Sequence, residues 1–217
     1  MANVLITACP HDAPTQYGYF YLRKAADVLA RYGHKIVFLR SANLENFRSA
    51  LVKYDPRFVI LNGHGGSKSV TGCNNHVLLG VCSYDPELGK KIVRENPQWM
   101  KGRIVFLFTC NTGKELAPRL ADEGALAVAA FKSDYIFVSM DSTPILDKRA
   151  YPFFTSPIQL PIVLAEGGTF WEAAQAVRDS FLYYVEEAES RGDITQAKYL
   201  NYDLANFVVY GSEAVTI

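Results

Sequence analysis

Residues 104–113 read IVFLFTCNTG: five large apolar residues, Ile104 to Phe108, end in Thr109-Cys110 and break at once into Asn111-Thr112-Gly113. A second stretch has the same form, Phe58-Val59-Ile60-Leu61-Asn62 stopping on Gly63-His64-Gly65-Gly66. Short apolar runs bounded by turn residues read as strands covered on both faces. Neither a buried strand nor the turn after it requires a thiol or an imidazole. The two tips therefore raise the question of whether Cys110 and His64 are partners.

The pattern outward from these strands decides the fold class. Asn3 to Ala8 predicts a first strand, Phe20 to Arg31 a helix stopped by Gly33, Lys35 to Leu39 a strand, and Leu44 to Lys53 a second helix. After the strand Arg57 to Asn62, the glycine-rich segment 63–75 reads as a loop and Val77 to Cys82 as a short extended piece. A helix is expected from Asp85-Pro86 to about Asn96, a strand from Arg103 to Thr109, a helix from Thr112 to Glu123 and a small-residue strand from Ala125 to Ala130. This alternation is that of an α/β protein with a mostly parallel, doubly wound sheet flanked by helices. Beyond it, Tyr135 to Met140 reads as a strand and 141–156 as a long surface loop. Thr169 with Glu172 makes a capping box for a helix running to about Ser190, and Phe207 to Tyr210 is a last strand.

The 217 residues, 49% hydrophobic, are enough for one sizeable core, so a single domain over 1–217 is expected. Basic and acidic residues balance at 22 each and form no long like-charge block, which argues against a nucleic-acid partner. No apolar stretch approaches a membrane span, and the N-terminus lacks the pattern of a secretion signal, so a cytoplasmic protein is expected. In such a reducing compartment Cys9, Cys73, Cys82 and Cys110 would be thiols, with Cys9 an inert core residue.

In open parallel sheets, ligands bind outside the carboxyl ends of the strands, where His64 and Cys110 both fall. If their strands are neighbours, imidazole and thiol project into one crevice as base and nucleophile. A nearby imidazole and the helix expected from Thr112 would both lower the thiol pKa. Gly65 has no Cβ to hinder a substrate carbonyl, and its N–H with that of Cys110 would form an oxyanion hole.

These residues resemble the caspase-like cysteine peptidases, a group that includes caspases, metacaspases, gingipains, clostripain and the CHAT domains. The likeness lies in a strand ending in His64-Gly65 and a later strand ending in Cys110 before small residues, and it is nearest to the CHAT and gingipain branch. It covers roughly the first 135 residues. It implies a three-layer sandwich and a cysteine endopeptidase acting on protein or peptide substrates through a His64–Cys110 dyad. It also implies self-processing or activation by a partner protein, with Lys148-Arg149 or Lys132 as cleavage sites. In several members a residue after strand one lines the pocket for the side chain preceding the scissile bond. Asp12 stands there, and an acid would favour Arg or Lys. The second acid that metacaspases place two residues before the nucleophile is replaced by Phe108. Asp134 and Asp141 are further candidate pocket acids.

Two other readings carry different chemistry. An inactive caspase-like fold would serve as an interaction module. Cys73, His76 and Cys82 with His64 supply four zinc-ligand types, although their spacing matches no paired-knuckle pattern and zinc there would consume the base. The preferred reading needs neither metal nor cofactor, and it leaves His11 at the cleft rim without a partner at ligand spacing.

Overall fold

The structure, a computed structural model, describes residues 1–91, 95–140 and 143–217. Its first strand, β1 (Asn3–Ala8), leads into helix α1 (Ala13–Arg31), then β2 (Lys35–Leu39), α2 (Leu44–Tyr54) and β3 (Phe58–Asn62). Two small antiparallel hairpins come next, β4 (Ser69–Thr71) with β5 (Val77–Gly80), and β6 (Tyr84–Asp85) with β7 (Lys90–Lys91). The chain then returns to the main sheet through β8 (Ile104–Phe108), α3 (Leu116–Asp122) and β9 (Ala127–Phe131). Helices α4 (Tyr151–Thr155), α5 (Gln159–Ala165), α6 (Phe170–Ser190) and α7 (Ile194–Asn206) precede the final strand β10 (Phe207–Gly211).

The six-stranded sheet has the order β10-β9-β8-β3-β1-β2, with every pair parallel except β9–β10. Its alternating side chains feed two cores. Ile6, Ile60, Phe106 and Ala129 face α1, α5, α6 and α7, whereas Leu5, Val59, Leu107 and Val128 face α2, α3 and the β4–β5 hairpin. This is the expected three-layer α/β architecture with a mostly parallel sheet. The apolar runs of β3 and β8 are fully buried because each strand is covered on both sides.

The pairing register brings three strand tips together. Ala8 pairs with Asn62, and Asn62 pairs with Phe108, so the carboxyl ends of β1, β3 and β8 are level and adjacent.

Five expectations are corrected. Helix α1 starts seven residues before Phe20, because Asp12 caps it in a box with Thr15 and Pro14 suits its first turn. Gly18, which disguises the helical pattern, is needed there: a Cβ would lie 2.1 Å from Asn62 Oδ1. The helix expected from Asp85 is instead the β6–β7 hairpin, with residues 92–94 outside the described ones. Buried Asp85 explains it, because its carboxylate accepts from Glu87 N (3.1 Å) and Leu88 N (3.3 Å), closing a turn, and from Ser69 Oγ (2.8 Å).

The segment 135–140 forms no strand, and the N–H groups of Tyr135, Ile136 and Met140 go to side chains. Tyr135 N donates to Cys110 Sγ, Ile136 N to Asp203 and Met140 N to Asp147. Nor is 143–156 a surface loop. Asp147 is buried and accepts from Tyr17 Oη at 2.6 Å, and Phe154 stacks on Tyr17 and Tyr21.

The fifth correction concerns the cysteines. Cys9 and Cys73 form a disulfide across 64 positions, leaving Cys82 and Cys110 as the free thiols. The thiol argument for a reducing compartment does not hold for this pair. No helix among the described residues is long and apolar enough to cross a membrane.

Closing a loop of this length removes unfolded-chain entropy worth about 4 kcal/mol. Cys73→Ser is therefore expected to lower unfolding stability in urea by about that much, and a reductant should lower wild-type stability similarly. Denaturation curves that coincide with and without reductant would show that the bond does not form in solution.

Candidate active site

Cys110 stands two residues past the end of β8, and His64 two residues past the end of β3. Because these strands are paired, both side chains line the same two cavities. One is an open cleft of about 490 Å³ that also touches Gly65, Asn111, Lys114 and Asp134. The other is a narrow, mostly apolar pocket of about 60 Å³ between Pro14, Asn62, Phe108, Tyr135 and Phe154. A larger hollow of about 700 Å³ lies between α2 and Trp99, lined by residues such as Leu44, Arg48 and Val52. Neither His64 nor Cys110 lines it.

Asp12 lies past the end of β1, on the other side of β3. Its Oδ2 is 2.6 Å from His64 Nε2, while Oδ1 accepts from Thr15 Oγ1 at 2.6 Å and Thr15 N at 3.1 Å. Partial burial works against ionisation, yet the hydrogen bonds from Thr15 and His64 hold the Asp12 carboxyl below its ordinary range. An ionised carboxylate only accepts, so His64 carries a proton on Nε2, and in the neutral ring the lone pair is then on Nδ1. Asp12, expected to line the substrate pocket, is thus committed to His64. It supplies the orienting partner for which the sequence offered no mark. The signal was present in the capping pattern Asp12-Ala13-Pro14-Thr15, which puts a carboxylate at a helix start directly after β1.

The thiol environment departs from expectation. Burial pushes the Cys110 pKa up. The Tyr135 N–H, 3.2 Å from Sγ, opposes the rise, while the negative fields of Asp134 and Asp203 add to it. The expected help from a helix N-terminus is missing, because α3 begins only at Leu116. In its place Asn111 turns the chain with φ +59°, held by Asn111 N to Ser133 O at 3.0 Å and Asn111 Nδ2 to Asp134 Oδ1 at 2.6 Å. Asp203 is buried, with its carboxyl pushed well above the usual range by burial. Tyr135 donates its N–H to the thiol, and Asp203 accepts the N–H of the next residue, Ile136, at 3.1 Å.

Gly65 sits where only glycine fits: a Cβ would lie 2.3 Å from Cys110 O and 2.8 Å from the Thr109 side chain. Its bridge to Val70 uses flanking groups, with Thr71 N on His64 O (2.9 Å) and Gly66 N on Ser69 O (3.0 Å). The Gly65 N–H is therefore directed away from the β4–β5 hairpin. Asp134 is exposed beside Cys110, and Asp141 lies outside the described residues. Arg149 is held by Asp193 through two nitrogens, at 2.7 and 3.0 Å, and Ala150 after it is buried, so the bond between them is not presented to solvent.

The zinc set proposed from sequence is not assembled. Cys73 is consumed by the disulfide, and among the described residues the one group of three or more convergent ligand side chains is His11, Asp12 and His64.

Residues 36–143 match the family model for a domain of unknown function (DUF8616). The match covers just under half of the chain, from within β2 past β9; it includes His64 and Cys110 but not Asp12. No curated protein matches the chain.

Because only the thiolate is alkylated quickly, iodoacetamide modification of Cys110 in a Cys82→Ser background should rise with pH through a midpoint above that of an ordinary cysteine, about 8.5. Removing the charge with Asp134→Asn should move the midpoint down. Rates with an ordinary or acidic midpoint would contradict this account of the thiol.

Proposed function

We propose that this protein is a caspase-like cysteine endopeptidase whose working residues are Cys110, His64 and Asp12. The observation that carries the reading is the row of three level, adjacent strand ends with a thiol past one outer strand, an imidazole past the centre and a carboxylate past the other outer strand. His64 Nδ1 takes the thiol proton as Cys110 Sγ attacks the peptide carbonyl carbon. The resulting imidazolium protonates the departing amine, and water then hydrolyses the acyl-enzyme with His64 as base. Asp12 acts through His64 as a positioning residue: it fixes the tautomer and faces the imidazolium when it forms. The developing oxyanion is received by the N–H groups of Gly65 and Cys110.

Burial holds the Cys110 thiol pKa up, which favours proton transfer that accompanies attack over transfer that precedes it. A preference for Arg or Lys before the scissile bond now rests on Asp134, which is exposed in the cleft beside Cys110. A protein or peptide is the substrate, and a partner protein that reorders the cleft is a fitting activator. Self-cleavage, if it occurs, falls at a bond other than Arg149–Ala150.

The test is a peptide-library cleavage assay. Cys110→Ala should abolish turnover, His64→Ala should lower kcat by roughly 100-fold or more, and Asp12→Asn should lower kcat with little change in KM while altering the pH profile. Asp134→Asn should reduce kcat/KM for basic substrates relative to neutral ones by roughly tenfold. Turnover that survives Cys110→Ala would exclude the mechanism.

A further inference from the structure

We propose that His11, Asp12 and His64 form a zinc site that competes with the use of His64 as a base. The site is distinct from the four-ligand set suggested by Cys73, His76 and Cys82. The inhibitory consequence rests on the proposed role of His64, whereas the metal site itself does not.

The ligand atoms already converge. Asp12 Oδ2 lies 2.6 Å from His64 Nε2 and 3.6 Å from His11 Nε2, and the three fall within 4.8 Å of one another. Ligands on a tetrahedral zinc at about 2.0–2.2 Å stand about 3.3 Å apart. The His11–Asp12 spacing is thus close to that of a zinc site, and the His64–Asp12 pair need only open by a fraction of an ångström. The two rings meet edge to face, with centroids 5.6 Å apart.

The groups behind the ligands are also in place. His11 Nδ1 lies 3.1 Å from Cys9 O; a carbonyl only accepts, so Nδ1 carries the proton and Nε2 presents its lone pair. Thr15 holds Asp12 Oδ1 with both its hydroxyl and its N–H, leaving Oδ2 for a metal. Backing hydrogen bonds of this kind orient zinc ligands and tune their strength. Cys9 is anchored by its disulfide, which fixes the carbonyl that positions His11. The three side chains are 21%, 37% and 34% exposed, which gives a metal an entry path and leaves its fourth position open to water. Two imidazoles and one carboxylate suit zinc better than the oxygen-seeking calcium or magnesium.

Coordination would change the ring that the peptidase reading depends on. Zinc takes the Nε2 lone pair, so the proton of neutral His64 moves to Nδ1, the atom assigned to accept the thiol proton. No bond to Cys110 is needed for inhibition.

The experiment uses the full chain stripped of metal and titrated with Zn²⁺ against a chromophoric chelator. Wild type should bind one equivalent, His11→Gln should weaken binding at least tenfold, and Cys110→Ala should leave it unchanged. Zinc should also slow diethyl pyrocarbonate modification of His11 and His64 in the wild-type protein, but not of His34 or His76, a readout that needs no variant to fold. Loss of binding in Cys110→Ala with retention in His11→Gln would overturn the site, as would protection of His76. Binding is read without substrate, so its outcome is separate from that of the peptidase reading; peptide hydrolysis undiminished at saturating zinc would overturn the inhibitory role alone.

Discussion

In-register parallel pairing of β1, β3 and β8 is the constraint on which the rest of this molecule depends. Strands about 4.8 Å apart whose last residues are level leave their following residues side by side, and here those residues lead to Asp12, His64 and Cys110. The central strand carries the imidazole, so the ring has a neighbour on each side. Two apolar cores clamp the three strands from both faces, which keeps their ends level while the turns beyond them vary. The disulfide adds a second tie at the same end. It joins the segment leading to Asp12 to the residues just after Thr71, whose N–H is bonded to His64 O.

Two physical effects oppose each other at the thiol. Burial beside Phe108, Tyr135 and Phe154 lowers the local polarity, which strengthens any hydrogen bond to a reacting carbonyl but also disfavours the thiolate. The Tyr135 N–H offsets only part of that cost. The arrangement suits a nucleophile that loses its proton to a fixed base during attack, and it makes the orientation of His64 more important than its charge. That explains why Asp12 has two bonds from Thr15 and one from His64: a carboxylate that also caps a helix has little freedom to turn away.

Much of this was legible in the sequence where the signal is local. Unbroken apolar runs identified β3 and β8, their glycine and small polar successors marked the tips, and Thr169 with Glu172 announced α6. What escaped depends on long-range partners. The segment 135–140 has strand-like composition, but the N–H groups of Tyr135, Met140 and Ile136 are taken by Cys110, Asp147 and Asp203, the last from α7 near the other end of the chain. Asp85 closes a turn that a helix-start pattern also fits. Phe153 and Phe154 in an aperiodic stretch are buried because Tyr17 and Tyr21 lie over them. The Cys9–Cys73 contact required knowing that Gly72 can pass close to Ala42 O, where a Cβ would stand 2.5 Å away. Asp12, expected to line the substrate pocket, is bonded to His64, because position after a strand does not say which way a capping carboxylate faces.

The central claim is that Cys110 and His64 act together on a bound carbonyl. It is tested most directly by intact-mass analysis after treatment with a peptidyl acyloxymethyl ketone, which alkylates a cysteine activated by its own site. The account predicts one adduct, located on Cys110 and not on Cys82, that forms far more slowly in His64→Ala although the fold is retained. Equal labelling of both free cysteines, or labelling of Cys110 at an undiminished rate without His64, would contradict it.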